Sequence, residues 1–232
     1  MRNDLLGIGL YTVSEASRLC GVRAQSIRRW IGGYRYRNRG EIIFAEPLWT
    51  PQVKRHEERL ILGFRDLAEL RVVDALLKQG LSLHAIRRAI SRAREALDDE
   101  RPFSTRQFRT DGRSIFLDLA KQDDEPALLD LLRNQYGIKR AIEPSLRDFE
   151  YDEKAASRWW PLSSKRSVVI DPKRAFGAPI EAESGVPVDV IVDAVDAEGS
   201  VRRAARAFGV AEASVRDALK FNDAFGSAAL AA

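Results

Sequence analysis

The sequence predicts an α+β fold, mainly α, in three parts: an N-terminal winged helix-turn-helix over 1–97, a middle mixed α/β segment over 98–166, and a C-terminal three-helix, helix-turn-helix-like unit over 167–232. Three observations predict it. Residues 12–31, TVSEASRLCGVRAQSIRRWI, carry the punctuation of two short helices around a glycine turn. Residues 34–44 alternate as a hairpin does, and residues 200–221 repeat the helix, glycine, helix spacing near the end of the chain.

Thr12 and Glu15 form a T-x-x-E capping box that satisfies free amides at a helix start. Ala16, Leu19 and Cys20 give this helix an apolar face, and Gly21 stands where the chain leaves it through a left-handed conformation that a side chain would penalise. The second helix, from about Ala24, is expected to bury Ile27 with Trp30 and Ile31 and to turn Gln25, Ser26, Arg28 and Arg29 outward. Amide, hydroxyl and guanidinium groups so displayed can read base edges and grip phosphates.

Tyr34-Arg-Tyr-Arg-Asn-Arg-Gly40 and Glu41-Ile-Ile-Phe44 then read as an aromatic and basic strand, a turn at Asn38-Arg39-Gly40, and an apolar return strand, which together make a wing. From Tyr11 to Arg39 seven arginines (Arg18, Arg23, Arg28, Arg29, Arg35, Arg37, Arg39) stand against one acid, Glu15. That excess is the electrostatic footprint of a polyanion partner; the plainer alternative is a small helical core with a solvated basic face. The candidate DNA-contacting residues are Arg23, Gln25, Ser26, Arg28, Arg29, Arg35, Arg37, Asn38 and Arg39.

Asp66-Leu-Ala-Glu69 repeats the capping-box pattern and is expected to open a helix with Leu67, Leu70, Val73, Ala75 and Leu77 on its apolar side, ending at Gly80. Ser82 caps the next, in which Leu83, Ile86, Ala89, Ile90, Ala93 and Leu97 recur at helical spacing. Its Arg87, Arg88, Arg92 and Arg94 are either a solvated face or phosphate contacts.

Asp98-Asp-Glu-Arg-Pro102 breaks the pattern and marks a first boundary. Residues 103–108 and 114–119 flank Thr110-Asp-Gly-Arg113, so a β-hairpin is expected. Pro126 starts a helix through Leu128, Leu129, Leu131 and Leu132 that ends near Gly137. Residues 149–151 and 158–160 form a short strand pair, with Trp159 and Trp160 in a core or interface.

Ser163-Ser-Lys-Arg-Ser167 marks a second boundary, followed by a strand at 168–170 stopped by Asp171-Pro172. Pro187 begins a helix through Val190, Ile191 and Val195. In the two helices about Gly209, Ala204, Ala205, Val210, Val215 and Leu219 face inward. Arg202, Arg203, Arg206, Ser214, Arg216 and Lys220 are a secondary DNA-binding set, but Glu212 and Asp217 dilute the charge of the second helix and favour structural or partner-binding use. The tail, 226–232, reads as a frayed end.

The chain has 232 residues and a net charge of +4, which hides an asymmetry: 18 basic against 10 acidic residues up to Leu97, and 20 against 24 beyond it. The two parts are expected to meet different partners. No apolar run approaches the roughly 20 residues of a membrane helix and the first residues lack a signal-peptide layout, so a cytoplasmic protein without a membrane partner is expected. The single Cys20 excludes an intramolecular disulfide framework. His56 and His84 are the only histidines, neither near a second ligand at metal-binding spacing, and no phosphate loop or nucleophile elbow occurs. No catalytic residue, metal or cofactor is expected.

Residues 11–97, with YTVSEASRLCGV, the wing and RDLAELRVVDALLKQGLSLHAIRRAI, resemble the winged helix-turn-helix of MerR-type regulators, without the long dimerisation helix and ligand-binding end of that family. Residues 167–221, with SVVIDPKRAFGAPIE, GVPVDVIVDAV and EGSVRRAARAFGVAEASVRDALKF, resemble the small helical domain of antitoxins encoded beside PIN-like toxins. Glu183 stands where that family has Gly, which leaves Gly185 to shape the turn before Pro187. The pairing in this order resembles a VapB-type antitoxin. The resemblance implies a protein that neutralises a PIN-like ribonuclease toxin and represses its own operon as a homodimer on double-stranded operator DNA. A PIN-like site is an acidic metal cluster, so an inserted Arg or Lys would compete with its cations. The alternative is a stand-alone MerR-like transcriptional regulator answering a small-molecule effector.

Overall fold

The computed structural model describes residues 5–53, 59–120, 137–163 and 165–226. His56, the helix expected from Pro126 and the 227–232 part of the tail lie outside the described residues. The fold is α+β and mainly helical, with a helix-turn-helix at its N-terminal end.

Strand β1 (Tyr11–Thr12) leads into helix α1 (Val13–Cys20), which the capping box starts: the Glu15 amide donates to Thr12 Oγ1 at 3.2 Å, and the Thr12 amide donates to Glu15 Oε2 at 2.7 Å. Gly21 takes φ 67°, and the buried Ser17 hydroxyl donates to the Val22 carbonyl at 2.6 Å, which fixes the angle at which helix α2 (Ala24–Gly32) leaves the turn. Ile27, Trp30 and Ile31 of α2 are buried as expected.

Strands β2 (Tyr34–Asn38) and β3 (Glu41–Ala45) form the wing, with Asn38 opposite Glu41 and only Arg39 and Gly40 between them. Both turn residues have positive φ, 47° and 92°, the geometry of a two-residue turn that follows the strand twist. Strand β4 (Ile61–Leu62) pairs with β1.

Helix α3 (Phe64–Lys78) begins before the position that the Asp66-x-x-Glu69 pattern suggests. Asp66 is not the cap. It lies in the first turn, where its Oδ2 accepts from the Gly63 amide at 2.8 Å, and Glu69 is turned into the interior. Ser82 caps helix α4 (Leu83–Leu97) through the Ala85 amide at 3.1 Å.

No hairpin forms over 103–119. A single 3-10 turn (Pro102–Ser104) leads into helix α5 (Arg106–Ala120), which Thr105 opens by accepting from the Phe108 amide at 3.1 Å. Phe108, Gly112, Ile115 and Phe116 are buried at helical spacing, and the Phe108 ring packs where a Gly112 side chain would stand. Burial of three large apolar groups outweighs the local turn preference of Asp111-Gly112.

Helix α6 (Gly137–Leu146) leads to a four-stranded antiparallel sheet of β5 (Phe149–Tyr151), β6 (Ala156–Trp159), β7 (Val168–Ile170) and β8 (Pro179–Glu181). The sheet spans the 163–167 break, with Trp159 opposite Ile170. Helices α7 (Val188–Glu198), α8 (Val201–Phe208) and α9 (Glu212–Phe225) complete the chain, with Gly209 left-handed between the last two.

One apolar cluster runs from Tyr11 to Phe221. Phe64 of α3 lies edge-on to Phe149, centroids 5.8 Å apart, and Phe149 stacks on Trp159 at 5.3 Å. Near the N-terminus, the Tyr11 hydroxyl donates to the Gly177 carbonyl at 2.9 Å inside the protein. The helix-turn-helix is therefore seated on the later segments of the chain.

Candidate nucleic-acid interface

Helix α2 presents Gln25, Arg28 and Arg29 to solvent, with Ser26 half-buried and Arg23 exposed at its N-cap. The wing starts one residue after α2, so both share a support. Arg29 sits over the Tyr34 ring, 4.0 Å from its centroid, a cation–π contact that ties the helix to the first residue of the wing. Gly33 makes the close connection possible: it has φ 72°, and a Cβ there would collide with the Phe44 ring and lie 2.8 Å from the Ala45 carbonyl. The Leu48 amide donates to the Trp30 carbonyl at 2.6 Å and closes the base of the wing.

The strand register divides the wing into two faces. Tyr34, Tyr36, Ile43 and Ala45 share one face, on which Tyr34 and Tyr36 stand 5.8 Å apart. Arg35, Arg37, Ile42 and Phe44 share the other, with Arg35 opposite Phe44 and Arg37 opposite Ile42. Asn38 and Arg39 are exposed at the tip.

Partnering separates the arginines into two sorts. Arg23, Arg28, Arg35, Arg37 and Arg39 make no ion pair with any described residue, whereas the arginines behind them are engaged in holding the fold. Arg87 of α4 donates to the Glu46 and Pro47 carbonyls at 2.7 and 2.8 Å and braces the loop that follows the wing. Arg92 pairs with Glu95 and Arg94 with Glu100, in each case with a well-exposed acid, as on a solvated helix face.

A buried carboxylate sets the position of the same loop. Asp66 accepts from Trp49 Nε1 at 3.0 Å, from the Gln52 amide at 2.9 Å and from the Gly63 amide, and pairs with Arg101 at 3.1 Å. Burial pushes its pKa up, against the pull of Arg101 and these donors. Glu69, also fully buried, holds the Ser104 amide at 2.8 Å with one oxygen and leaves Oε2 without a partner; burial raises its carboxyl pKa to about 8. Cys20 donates to the Leu67 carbonyl at 3.6 Å, and burial pushes its thiol up to about 12, so it is held as an un-ionised thiol.

Part of the C-terminal set has partners within the protein. Arg216 pairs with Glu212 at 2.7 Å, Lys220 with Asp217 at 3.5 Å, and Arg203 donates to the Glu198 carbonyl at 3.3 Å. Against the opposing effect of burial, the Ser214 side chain helps hold the Glu181 carboxyl below its ordinary pKa. Asp217 does not dilute an outer face: it is buried and holds Lys165 at 3.1 Å and Ser167 at 2.8 Å. Arg202 and Arg206 of α8 remain exposed without an ion pair among the described residues.

The sequence places Tyr34 in the wing and Arg87 on a solvated or phosphate-contacting face, but it does not show that Tyr34 carries Arg29 or that Arg87 braces the loop after the wing. The Gly32-Gly33 doublet ahead of the strand is the one local signal of a close approach. Among the described residues no group of three or more His, Cys, Asp or Glu could hold a metal ion, and no helix is long and apolar enough to cross a membrane.

Residues 9–90 match the family model described as "Putative DNA-binding HTH domain". Over 223 residues, 91% of this chain and 93% of the relative, the sequence is 26% identical to "Putative antitoxin VapB45" of Mycobacterium tuberculosis. The chain is thus similar to a putative antitoxin along most of its length, with the matched helix-turn-helix at its N-terminal end. Its fold is that of a solved structure, the crystal structure of Rv2018 from Mycobacterium tuberculosis, with a TM-score of 0.70 over 92% of this chain and 99% of that one at 21% identity.

Proposed function

We propose that the chain is the antitoxin of a type II toxin-antitoxin pair, which neutralises a PIN-like ribonuclease toxin and binds operator DNA to repress its own operon. The observation that carries the DNA half is the set of exposed arginines without an ion pair among the described residues, from Arg23 and Arg28 on α2 to Arg35, Arg37 and Arg39 on the adjoining wing. Gln25, Ser26, Arg28 and Arg29 enter the major groove, while the wing arginines and Asn38 grip the backbone or the minor groove. A homodimer on two half-sites suits this use. The antitoxin half is supported by the relative's name and by the near-complete mutual coverage of the two chains.

Labour divides along the chain in this proposal, with residues 1–97 on DNA and the segments 98–166 and 167–232 on the toxin, as the change in charge balance suggests. Arg202 and Arg206 are the members of the secondary set still open to a partner. The protein works in the cytoplasm, with no catalytic residue, metal or cofactor of its own.

Co-expression with the toxin-like product of the adjacent gene tests the antitoxin half: copurification with rescue of growth is expected, and free toxicity with no complex would reject it. A gel shift on the DNA upstream of the gene tests the other half. A stand-alone regulator answering a small molecule is the second reading, and a cleft of about 440 Å³ between α1 and helices α7 and α9, lined by Leu19, Val188, Phe221 and Phe225, favours it. A ligand that changes DNA affinity in the isolated protein would select it.

A further inference from the structure

The outer face of the wing carries more than charge. Ile42 is 69% exposed and Phe44 49% exposed, two residues apart on β3, and the residues opposite them on β2 are Arg37 and Arg35. Single exposed apolar residues are ordinary on a protein surface. Two on one face of a solvent-exposed hairpin, beside two arginines with no acidic partner among the described residues, form a composite surface: a cationic row and an apolar row about 5 Å apart. An acidic protein surface would need an apolar patch at the matching spacing to cover both rows. The minor groove of duplex DNA matches both, since its phosphate rim faces the arginines and its sugar and base edges, about 6 Å across, face the apolar row.

Support for the apolar row is uneven. Phe44 rests on the Gly33 backbone and is half covered, whereas Ile42 stands free near the tip, next to the Arg39-Gly40 turn. We infer that Ile42, backed by Phe44, is an apolar wedge that enters the minor groove beside the half-site read by α2, parts a base step and bends the DNA, while Arg35 and Arg37 hold the flanking phosphates. This inference rests on the DNA-binding function proposed above and adds a bending role and two residues that carry no charge.

The test uses the full chain and the DNA upstream of its gene, labelled with 2-aminopurine at successive steps flanking each half-site, with bending read from the mobility of circularly permuted fragments. Wild-type protein is expected to raise 2-aminopurine fluorescence at one step per half-site and to give a position-dependent mobility. Ile42→Ser is expected to lose both signals and to bind about tenfold more weakly with an unchanged salt slope, since no cation is removed. Ile42→Leu keeps them. The side chain is exposed, so circular dichroism and melting should not move. If wild type binds and Ile42→Ser still bends the DNA and unstacks the step, the wedge is refuted while DNA binding stands. Full DNA signals in Ile42→Ser with lost toxin neutralisation would instead make the patch a protein-docking surface and equally overturn the inference. Absence of binding by the wild type would remove the DNA-binding function itself.

Discussion

Replacing Asp66 tests whether the loop behind the wing is held by one buried carboxylate. Asp66→Ala strips the acceptor from Trp49 Nε1 and the Gly63 amide inside the protein and from the Gln52 amide near the surface, and it removes the partner of Arg101, whose side chain is 14% exposed. Each orphaned buried donor costs about 1–3 kcal/mol, and breaking a buried pair from one side about 3–5 kcal/mol. Water can reach Gln52, and Arg101 keeps the Thr50 carbonyl at 3.0 Å, so these contributions do not simply add. A net loss of about 4–6 kcal/mol is expected, against a total stability of about 5–15 kcal/mol for a chain of ordinary stability. At about 2–4 °C per kcal/mol the melting temperature should fall by about 10–20 °C. Asp66→Asn keeps one acceptor oxygen and should lose about half as much. Arg101→Met added to Asp66→Asn should recover part of the loss, because the uncompensated cation is gone. Thermal and urea melts followed by circular dichroism read all three. A melting temperature within about 1 °C of wild type for Asp66→Ala, or strict additivity in the double variant, would refute this account of the loop.

Three further outcomes are expected. Arg35→Ala, Arg37→Ala and Arg39→Ala together should weaken specific and random DNA alike and flatten the salt dependence of log K by up to about 2.7, at about 0.9 per phosphate contact; an unchanged slope would take the hairpin off the backbone. Glu69 binds its proton more tightly folded than unfolded, so its contribution to stability is fully present below the ordinary glutamate range and is lost as pH rises through about 8. Glu69→Gln should flatten the pH dependence of melting between about 4.5 and 8 and raise the melting temperature at pH 8, and a parallel pH profile in the variant would contradict it. Gly33→Ala introduces a Cβ against the Phe44 ring and the Ala45 carbonyl at positive φ, so DNA affinity should fall while the helical circular dichroism signal persists; full affinity would show that the wing need not be anchored there.

Signals confined to a few residues were legible in the sequence: the Thr12 and Glu15 box, the Gly21 turn, the Asn38-Arg39-Gly40 reversal, the Ser82 cap and the Gly209 turn all stand as expected. The misjudged hairpin over 103–119 shows the limit of such signals. Thr110-Asp-Gly has turn chemistry, but Phe108, Ile115 and Phe116 recur at helical spacing, and the apolar surface they bury decides the outcome. Asp66 was misplaced for a related reason, because a carboxylate at the third helical position and one at the cap look alike until the preceding backbone is placed. Trp159 pairs with Ile170 across the 163–167 segment, whose linker-like composition reads as a boundary although the two strands on either side belong to one sheet. In the candidate site the exposed arginines of α2 were legible from periodicity. Whether a given arginine is free was not: Arg87 and Arg28 occupy similar patterns, but only Arg87 meets two backbone carbonyls, and those belong to residues about 40 positions away.

The central claim is that α2 and its wing read the DNA upstream of the gene. A footprint of that DNA with wild-type protein and with the Arg28→Ala, Arg29→Ala double variant tests it most directly. Both side chains are exposed, so the variant should keep the wild-type circular dichroism. The account predicts protection of two half-sites by the wild type and its loss in the variant, at about 1–3 kcal/mol for each base contact removed. Protection by the variant at wild-type concentrations would contradict the account.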